Sequence, residues 1–496
     1  TKAPRHGGCL VVSGAGYGPA MTDDLARLDA VAQADLVRTG QASPLELVDA
    51  AIARIEALDP QLNAVIHRRF EKARDEASGD LPAGPFRGVP FLLKDLWPTS
   101  AGDPFHMGIK AFKEAGYVHP EDANLTKRYR EAGFVILGRT NTPELGLVAT
   151  TEPLAYGPTH NPWNPDHGPG GSSGGAAAAV ASGMVPCANA SDGGGSIRIP
   201  AAMCGLVGLK PSRGRGSMGP LREELGVSVQ HIVSHSVRDT AAVLDATWKP
   251  FPGDGVIAPA PSRPWMEEIG VDEPLRIGIL DQALGGVPTH PDCTAAARRG
   301  AELAAALGHH VEDAYPAELD RMADHGPLVT TMWAVGAKAS LLSLAPLLGR
   351  ELTEDDVEPG TWALAEWGNS ASAVELASAQ GRMGTVRRDL AAWWEDFDLL
   401  ITPTTAAPPP RLGQLVATGD EPLRGLIGST PYATFTAVFN QSGQPAISLP
   451  LHRTPDGLPV GTQFVAAYGR EDLLIRIAAQ LEAEVRWADT RAPIHA

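Results

Sequence analysis

The clearest helical pattern in the chain lies near its beginning, in the stretch SPLELVDAAIARIEALDP (residues 43–60). Ser43 suits the N-cap position, Pro44 suits the first helical position, and Glu46 completes a capping box with Ser43. Apolar side chains then recur three or four residues apart, on one face of such a helix. They are Leu45, Val48, Ile52, Ile55 and Leu58. We therefore predict an amphipathic helix that packs against a core.

Short apolar runs bounded by Gly, Pro and polar residues predict buried strands elsewhere. The runs GVPFLLKD (88–95) and FVILGRTN (134–141) flank a helical stretch at 125–132. Similar runs follow in MVPCANA, CGLVGLKP, LRIGIL and FDLLITPTT, and QPAISLPLHRTPDGLPVGTQFVAA predicts two strands around an Asp-Gly turn. Helices are predicted in TAAARRGAELAAALG, between about 325 and 397, and in EDLLIRIAAQLEAE. Strands at both ends of the chain, without a repeat, favour one α/β sheet that gathers distant segments.

The centre of the chain, residues 160–220, is rich in Gly, Pro, Ser and Ala. A linker would lack its alternation of Gly-rich turns with apolar runs, so this region is interpreted as compact core. Its most apolar part, Ala176–Ala190, is built of small residues and interrupted by Ser, Gly and Pro. These interruptions favour a buried helix and strand over a membrane span. Residues 250–270 are interpreted as a surface connection.

Composition narrows the function classes. The chain is 43% hydrophobic and 20% charged, as in an ordinary folded soluble protein, and its formal net charge is −17. An acidic chain without a Lys/Arg cluster disfavours nucleic acid and anionic membrane as partners. Its four cysteines are spread without CxxC pairing, which argues against a disulfide framework or a thiolate zinc site and favours the cytoplasm. Residues 1–20 are expected to be a poorly ordered extension before Met21.

The stretch SDGGGSIRIP (191–200) raises the first question of chemistry. Gly193, Gly194 and Gly195 can adopt backbone angles barred to other residues, so that successive N–H groups converge on one point and form an oxyanion hole with the N–H of Ser196. A phosphate loop is disfavoured because neither GxxxxGK[ST] nor GxGxxG is matched. A second serine, Ser172 in GPGGSSGG, precedes a helix of small residues, and a helix–strand return brings the two loops to one end of a sheet.

A serine nucleophile needs a base, and Lys94 is an unusual candidate for it. It ends the apolar run 89–93, where burial lowers a lysine pKa by up to roughly 3–5 units and makes the neutral amine accessible. A solvent-exposed pair of Lys94 with Asp95 is the alternative. His231 and His235 stand at helical metal-ligand spacing, but two hydrated loop histidines are the favoured interpretation.

Three stretches, GGSSGG, SDGGGSIRIPAAMCGLVGLKPSRG and PFLLKD, together resemble the amidase signature family over about residues 25–485. The resemblance implies a single large α/β domain over 21–496, with a mixed central β-sheet flanked by α-helices and a signature core at about 85–215. It also implies a Ser-cisSer-Lys triad for acyl transfer without a cofactor or metal, with Lys94 as base, Ser172 as the bridging serine in a cis peptide and Ser196 as nucleophile.

Within the family, VATTEPLAYGPTHNPWNP, RELTEDDVE and VAAYGREDLL are most similar to bacterial hydrolases of 6-aminohexanoate cyclic dimer and related amides, anilides and urethanes. The expected substrate is a small amide or carbamate, and a homodimer is left open as the assembly. Family layout implies a pocket that includes Thr150, Thr151, Met332 and Asn440. A glutaminase like the amidotransferase A subunits is one alternative, although Ile199 departs from their GGSIRQPA. The other is an esterase of α/β-hydrolase type with Ser172 as nucleophile in a GxSxG elbow.

Overall fold

The computed structural model describes residues 25–222 and 226–496, and at 322–325 it describes the backbone alone. The predicted extension at 1–20 lies outside the described residues. Thirteen strands are found in the described part of the chain. They are β1 (Val65–Arg68), β2 (Pro90–Lys94), β3 (Asp103–Pro104), β4 (Val118–His119), β5 (Val135–Thr140), β6 (Cys187–Asp192), β7 (Val207–Lys210), β8 (Val229–Ser234), β9 (Arg276–Ile279), β10 (His310–Glu312), β11 (Leu399–Pro403), β12 (Ala446–Arg453) and β13 (Pro459–Ala466).

Eleven of these strands form one sheet in the order β1-β5-β2-β6-β8-β7-β12-β13-β11-β9-β10, and β3 pairs with β4 separately. The sheet is mixed: β2 runs parallel to β5 and β6, and β9 runs parallel to β10 and β11. Antiparallel pairing joins each neighbouring pair in the series β6, β8, β7, β12, β13 and β11. It also joins β1 to β5. The predicted mixed α/β sheet built from distant segments is therefore confirmed.

Helices cover this sheet. They are α1 (Ala30–Arg38), α2 (Pro44–Leu62), α3 (Phe70–Ser78), α4 (Lys110–Glu114), α5 (Asn124–Glu131), α6 (Gly174–Ala181), α7 (Arg198–Cys204), α8 (Val237–Thr247), α9 (Pro291–Ala306), α10 (Met322–Leu348), α11 (Pro359–Ser370), α12 (Ala373–Trp393), α13 (Arg424–Gly428), α14 (Thr430–Ala433), α15 (Ala437–Ser442) and α16 (Glu471–Val485). Short 3₁₀ turns lie at Glu144–Gly146, Trp265–Glu268, Ala317–Arg321, Glu354–Asp356 and Trp487–Asp489.

The predicted capping of α2 is present as expected. The Ser43 hydroxyl accepts from the Glu46 N–H, and the Glu46 carboxylate accepts from the Ser43 N–H. Val48, Ile52 and Ile55 from the predicted stripe are buried in one cluster with the small residues of α6. The apolar stretch 176–190 thus forms a buried helix and strand, as predicted. The hairpin of β12 and β13 also turns at the predicted Asp-Gly pair.

One described helix segment, Gly326–Leu348 of α10, is long and apolar enough to cross a membrane by length and composition. It packs against α11 and α12 in the fold. Two of its apolar side chains, Met332 and Trp333, line cavities beside the Gly-rich loops described below. Some of the apolar side chains of this helix therefore face the interior of the protein.

Candidate active site

Lys94 stands at the end of β2, inside the sheet. Its side chain is 0% exposed, and its Nζ lies 2.6 Å from Ser172 Oγ and 3.0 Å from Ser191 Oγ. Ser191 belongs to β6, the neighbour of β2 in the sheet. The alternative of a solvent-exposed Lys94–Asp95 pair is wrong, because Asp95 is buried as well and pairs with Arg139 at 2.9 Å.

Burial lowers the pKa of Lys94 well below its ordinary value, and the negative charge of Asp192 opposes this shift only in part. A lysine surrounded by two hydroxyl groups and apolar strand residues has too little solvation to hold its positive charge as it would in water. The neutral amine has a free electron pair and can accept a proton from a hydroxyl. This side chain is therefore suited to the work of a base.

Ser172 lies in a tight loop before α6. The Gly171–Ser172 peptide bond is cis, as the family resemblance implies. Gly171 must be glycine because a Cβ there would come within 2.5 Å of the Thr150 carbonyl oxygen. Thr151 ties both sides of the loop: its hydroxyl donates to the Gly170 carbonyl at 2.8 Å and accepts from the Gly174 N–H at 3.2 Å.

Ser196 follows β6 and precedes α7. Its residue exposure is 9%, so it is reachable from a cavity while most of it is enclosed. Gly195 has φ +134°, and a Cβ there would lie 2.4 Å from Thr436 Oγ1. Only glycine fits this conformation and this space. The turn that carries Ser196 is therefore rigidly defined by its neighbours.

A buried ion pair organises this turn. Asp192, the last residue of β6, pairs with Arg198 at 2.9 Å, and both side chains are 0% exposed. The carboxylate also accepts from the N–H of Gly195 at 2.7 Å and from the amide of Asn440 at 2.8 Å. Burial alone would raise the pKa of Asp192, but the charge and hydrogen bonds of Arg198 outweigh it and hold the pKa at about 2.

The backbone N–H groups of the loop divide into two sets. The N–H of Gly195 is engaged by Asp192, which differs from the expectation that it faces a substrate oxygen. Among the residues that the structure describes, the N–H groups of Gly193, Gly194 and Ser196 donate to no protein acceptor. These three remain available to an external acceptor such as a carbonyl oxygen.

Two cavities meet at Ser196, and both include Gly146, Gly193, Met332 and Trp333 in their walls. One has a volume of about 560 Å³. We call it the arginine chamber because its wall includes Ser172 together with Arg213, Arg222 and Arg387. The other has a volume of about 700 Å³ and is called the apolar chamber. Its wall includes Ile199, Leu284, Val329, Trp367, Leu426 and Ile427.

Of the four residues expected to contact the substrate, Met332 lines the two chambers and the other three form hydrogen bonds within the protein. Thr150 bonds the Glu152 carboxylate at 2.7 Å, and Thr151 holds the Ser172 loop as described. Asn440 is buried, and its amide donates to the Asp192 carboxylate and accepts from Arg198. The hydrogen-bonding groups of these three residues are thus engaged within the protein, and those of Thr151 and Asn440 hold the loops of Ser172 and Ser196.

His231 and His235 differ from the predicted hydrated loop residues. His231 lies within β8 and is buried, and His235 lies in the bend after β8 and is half-buried. His231 bonds the Thr240 carbonyl at 3.1 Å and His235 bonds the Val180 carbonyl at 2.9 Å. Burial lowers the pKa of His231 to about 4 and that of His235 to about 3. The prediction of a loop position is wrong for His231, which lies in the antiparallel pairing of β8 with β6, whereas His235 does follow the end of that strand.

Residues 46–475 match the family model described as Amidase. The chain belongs to the amidase signature family. A 6-aminohexanoate-cyclic-dimer hydrolase of Paenarthrobacter ureafaciens is 45% identical to this amidase over 478 residues, which cover 93% of this chain and 96% of the relative. The family and this relative make the chain a hydrolase of amide C–N bonds.

Solved structures agree with this assignment. A 6-aminohexanoate cyclic dimer hydrolase complexed with substrate superimposes with a TM-score of 0.91 at 43% identity, over 95% of this amidase and 100% of that chain. A bacterial aryl acylamidase superimposes with a TM-score of 0.83 at 28% identity, over 94% of this amidase and 98% of that chain. The alternative of an α/β-hydrolase esterase is excluded by this fold, and Ser172 follows a loop where a nucleophile elbow would follow a strand.

Sequence reasoning missed two parts of the site. Ser191, the second hydroxyl at Lys94, has no predicted role in the sequence motif that contains it. The Asp192–Arg198 pair was missed as well, although both residues stand in the same motif. The sequence does contain a signal for this pair. Asp192 stands before the glycines and Arg198 follows Ser196, and their six-residue spacing allows an ion pair that closes a loop between a strand and a helix.

Proposed function

We propose that this amidase cleaves its substrate through an acyl-enzyme formed on Ser196, with Ser172 and Lys94 as the proton relay. The observation that carries the proposal is the 2.6 Å contact between Lys94 Nζ and Ser172 Oγ beside a cavity that also contains Ser196. A buried amine with a lowered pKa, in contact with a hydroxyl, is an arrangement that activates a serine.

In the first half-reaction, Ser196 Oγ attacks the amide carbonyl carbon. Its proton passes to Ser172 Oγ while Ser172 gives its own proton to neutral Lys94. The carbonyl oxygen becomes an oxyanion that accepts hydrogen bonds from the loop N–H groups, of which Gly193, Gly194 and Ser196 have theirs available. When the C–N bond breaks, Ser172 protonates the leaving nitrogen and recovers a proton from Lys94.

In the second half-reaction, water replaces the amine. The water oxygen attacks the ester carbonyl carbon while the water gives a proton to Ser172. Ser172 passes its own proton to Lys94, as in the first half-reaction. The new tetrahedral intermediate collapses, the Ser196 oxygen leaves, and a proton returns to it through Ser172. The products are a carboxylic acid and an amine, and the three side chains return to their initial protonation states.

The substrate is proposed to be a small amide or carbamate, handled in the cytoplasm without a cofactor. The hydrolase of 6-aminohexanoate cyclic dimer and the aryl acylamidase named above make cyclic aliphatic amides and anilides the first substrates to examine. Two chambers totalling more than 1,000 Å³ beside Ser196 leave room for a substrate of this size on both sides of the scissile bond.

Labelling with a fluorophosphonate tests the nucleophile. We expect mass spectrometry to find the adduct on Ser196, with no adduct in Ser196→Ala and ordinary labelling in Ser182→Ala, a buried serine at the end of α6. Hydrolysis of a cyclic amide dimer, an anilide and a carbamate should fall by at least about 10³-fold in Ser196→Ala and Lys94→Ala. An adduct on another residue, or turnover retained in Ser196→Ala, would contradict the proposal.

The pH dependence tests Lys94 separately. Because the base acts as the neutral amine, kcat/KM should be high above the lowered pKa of Lys94 and fall as the pH drops through it. In Lys94→Ala the residual rate should lose this acidic limb. A limb that stays at the same pH in the variant would assign the titration to another group.

A further inference from the structure

Three arginines in the wall of the arginine chamber differ in their partners from three buried arginines elsewhere in the fold. Arg139, Arg198 and Arg215 are each buried in an ion pair with a carboxylate at 2.8–2.9 Å. By contrast, no ion pair with a carboxylate is found for the chamber arginines within residues 25–222 and 226–496. They are Arg213, Arg222 and Arg387.

Among the described residues, the contacts found for these three side chains are with carbonyl oxygens and a ring, and none is with a carboxylate. Arg213 donates to the carbonyls of Asn440 and Gln441 at 2.6 and 2.8 Å, and its buried Nε has no hydrogen-bond partner. Arg222 lies over the Trp97 ring, 4.3 Å from its centroid. Arg387 is exposed on α12. Carbonyl dipoles and a ring face interact with cations more weakly than a carboxylate does.

The electrostatic balance of the chamber points in the same direction. Its described wall residues include no Asp or Glu, although the chain as a whole carries a net charge of −17. Burial and the neighbouring charge of Arg387 both lower the pKa of Arg213, so these two cations repel one another across the chamber. Clustered cations without an acid are stabilised by an anion that binds between them.

The position of Ser172 decides which half of a substrate reaches these arginines. The leaving nitrogen must lie within hydrogen-bond reach of the group that protonates it, which the proposed mechanism assigns to Ser172. Ser172 is in the wall of the arginine chamber and is absent from the wall of the apolar chamber. The amine half of the amide therefore extends into the arginine chamber, and the acyl half occupies the apolar chamber.

We propose that the arginine chamber binds a carboxylate on the amine half of the substrate, so that the preferred substrates are linear N-acyl amino acids with an apolar acyl chain. This inference rests on the proposed function for the orientation of the substrate. A guanidinium pairs with a carboxylate through two parallel N–H···O bonds, which makes arginine suited to this recognition.

Binding to Ser196→Ala, which does not depend on turnover, tests the inference. The ligands are 6-(hexanoylamino)hexanoate, the neutral 6-(hexanoylamino)hexan-1-ol, and the monohexylamide of adipic acid, which carries its carboxylate on the acyl half. Calorimetry should give a Kd at least tenfold lower for the first ligand than for the second, and the third should gain nothing over the neutral amide. Raising the salt concentration should reduce the difference.

Arg387→Gln and Arg222→Gln, each made in the Ser196→Ala background, should reduce the tenfold ratio of the two Kd values to about twofold. The matched control is Arg388→Gln, since Arg388 is exposed on the same helix but is absent from the chamber wall. That control should leave the ratio unchanged. Equal Kd values for the acid and the alcohol, no binding of either, or a gain confined to the adipic acid derivative would overturn the inference.

Hydrolysis of the neutral alcohol amide by the unmodified enzyme separates this inference from the proposed function. Turnover of the neutral amide together with equal Kd values would leave the amide hydrolase in place and remove the carboxylate site. Loss of all amide turnover, with a tenfold Kd ratio retained in Ser196→Ala, would support the carboxylate site and remove the catalytic proposal.

Discussion

Replacing Asp192 by Asn removes the negative charge from a fully buried ion pair directly before the loop that carries Ser196. In the structure every contact of this carboxylate is as an acceptor. One oxygen accepts from the Gly195 N–H, Arg198 Nη2 and Asn440 Nδ2, and the other accepts from Arg198 Nε and the Ile197 N–H. An asparagine amide must turn its NH₂ toward one of these sets of donors, whichever way it is oriented.

Two arguments set the size of the effect. The pKa of Asp192 lies at about 2 against an ordinary value of 3.8, which corresponds to ~2 kcal/mol of stabilisation of the ionised carboxylate. This stabilisation is present above the ordinary pKa and is lost as the pH falls through the folded-state value. Leaving the partner of a buried ion pair without its counter-charge costs about 3–5 kcal/mol. We expect D192N to lower the free energy of unfolding at pH 7 by about 2–5 kcal/mol.

Urea denaturation followed by circular dichroism measures this difference. Asp420→Asn is the matched control, because Asp420 is exposed and its replacement should change the free energy of unfolding by less than about 0.5 kcal/mol. If D192N unfolds within that margin of the parent, the buried pair does not stabilise the loop and the reasoning fails. Where the variant stays folded, its kcat should fall more than its KM rises, because the loop that carries Ser196 is displaced.

Two further predictions concern the surroundings of the site. Gly195→Ala should lower the free energy of unfolding by about 1–3 kcal/mol, because its Cβ would meet Thr436 at 2.4 Å at a positive φ, whereas Gly194→Ala, with nothing within 4 Å, should cost under about 1 kcal/mol; equal losses in denaturation would contradict this. Burial raises the pKa of Glu358 to about 7, so its contribution to stability is present below pH 4.5 and lost as the pH rises through 7. Glu358→Gln should therefore raise the melting temperature at pH 8 and change it little at pH 4.5, and equal shifts at both pH values would argue against this assignment.

Local patterns predicted most of the elements that carry the site. The capping box of α2, the apolar strands β2 and β5, and the β12–β13 hairpin were all predictable because their signals lie within a few neighbouring residues. Lys94, Ser172 and Ser196 were singled out from three short motifs and a family resemblance. Their proximity was only an expectation, since nothing local in the chain links β2 to the loop 78 residues later that reaches it.

The amino-acid sequence by itself determined the local structure of this amidase, because caps, turns and buried faces depend on residues close together in the chain. Only the tertiary structure decided that β6 lies beside β2, so that Ser191 also reaches Lys94. It likewise decided that Asn440 supports the loop of Ser196 from 244 positions away, and that arginines from the β7–β8 connection and from α12 line one chamber. The physical reason is that such contacts arise from the order of strands in the sheet and from long-range packing, to which no short stretch of residues corresponds.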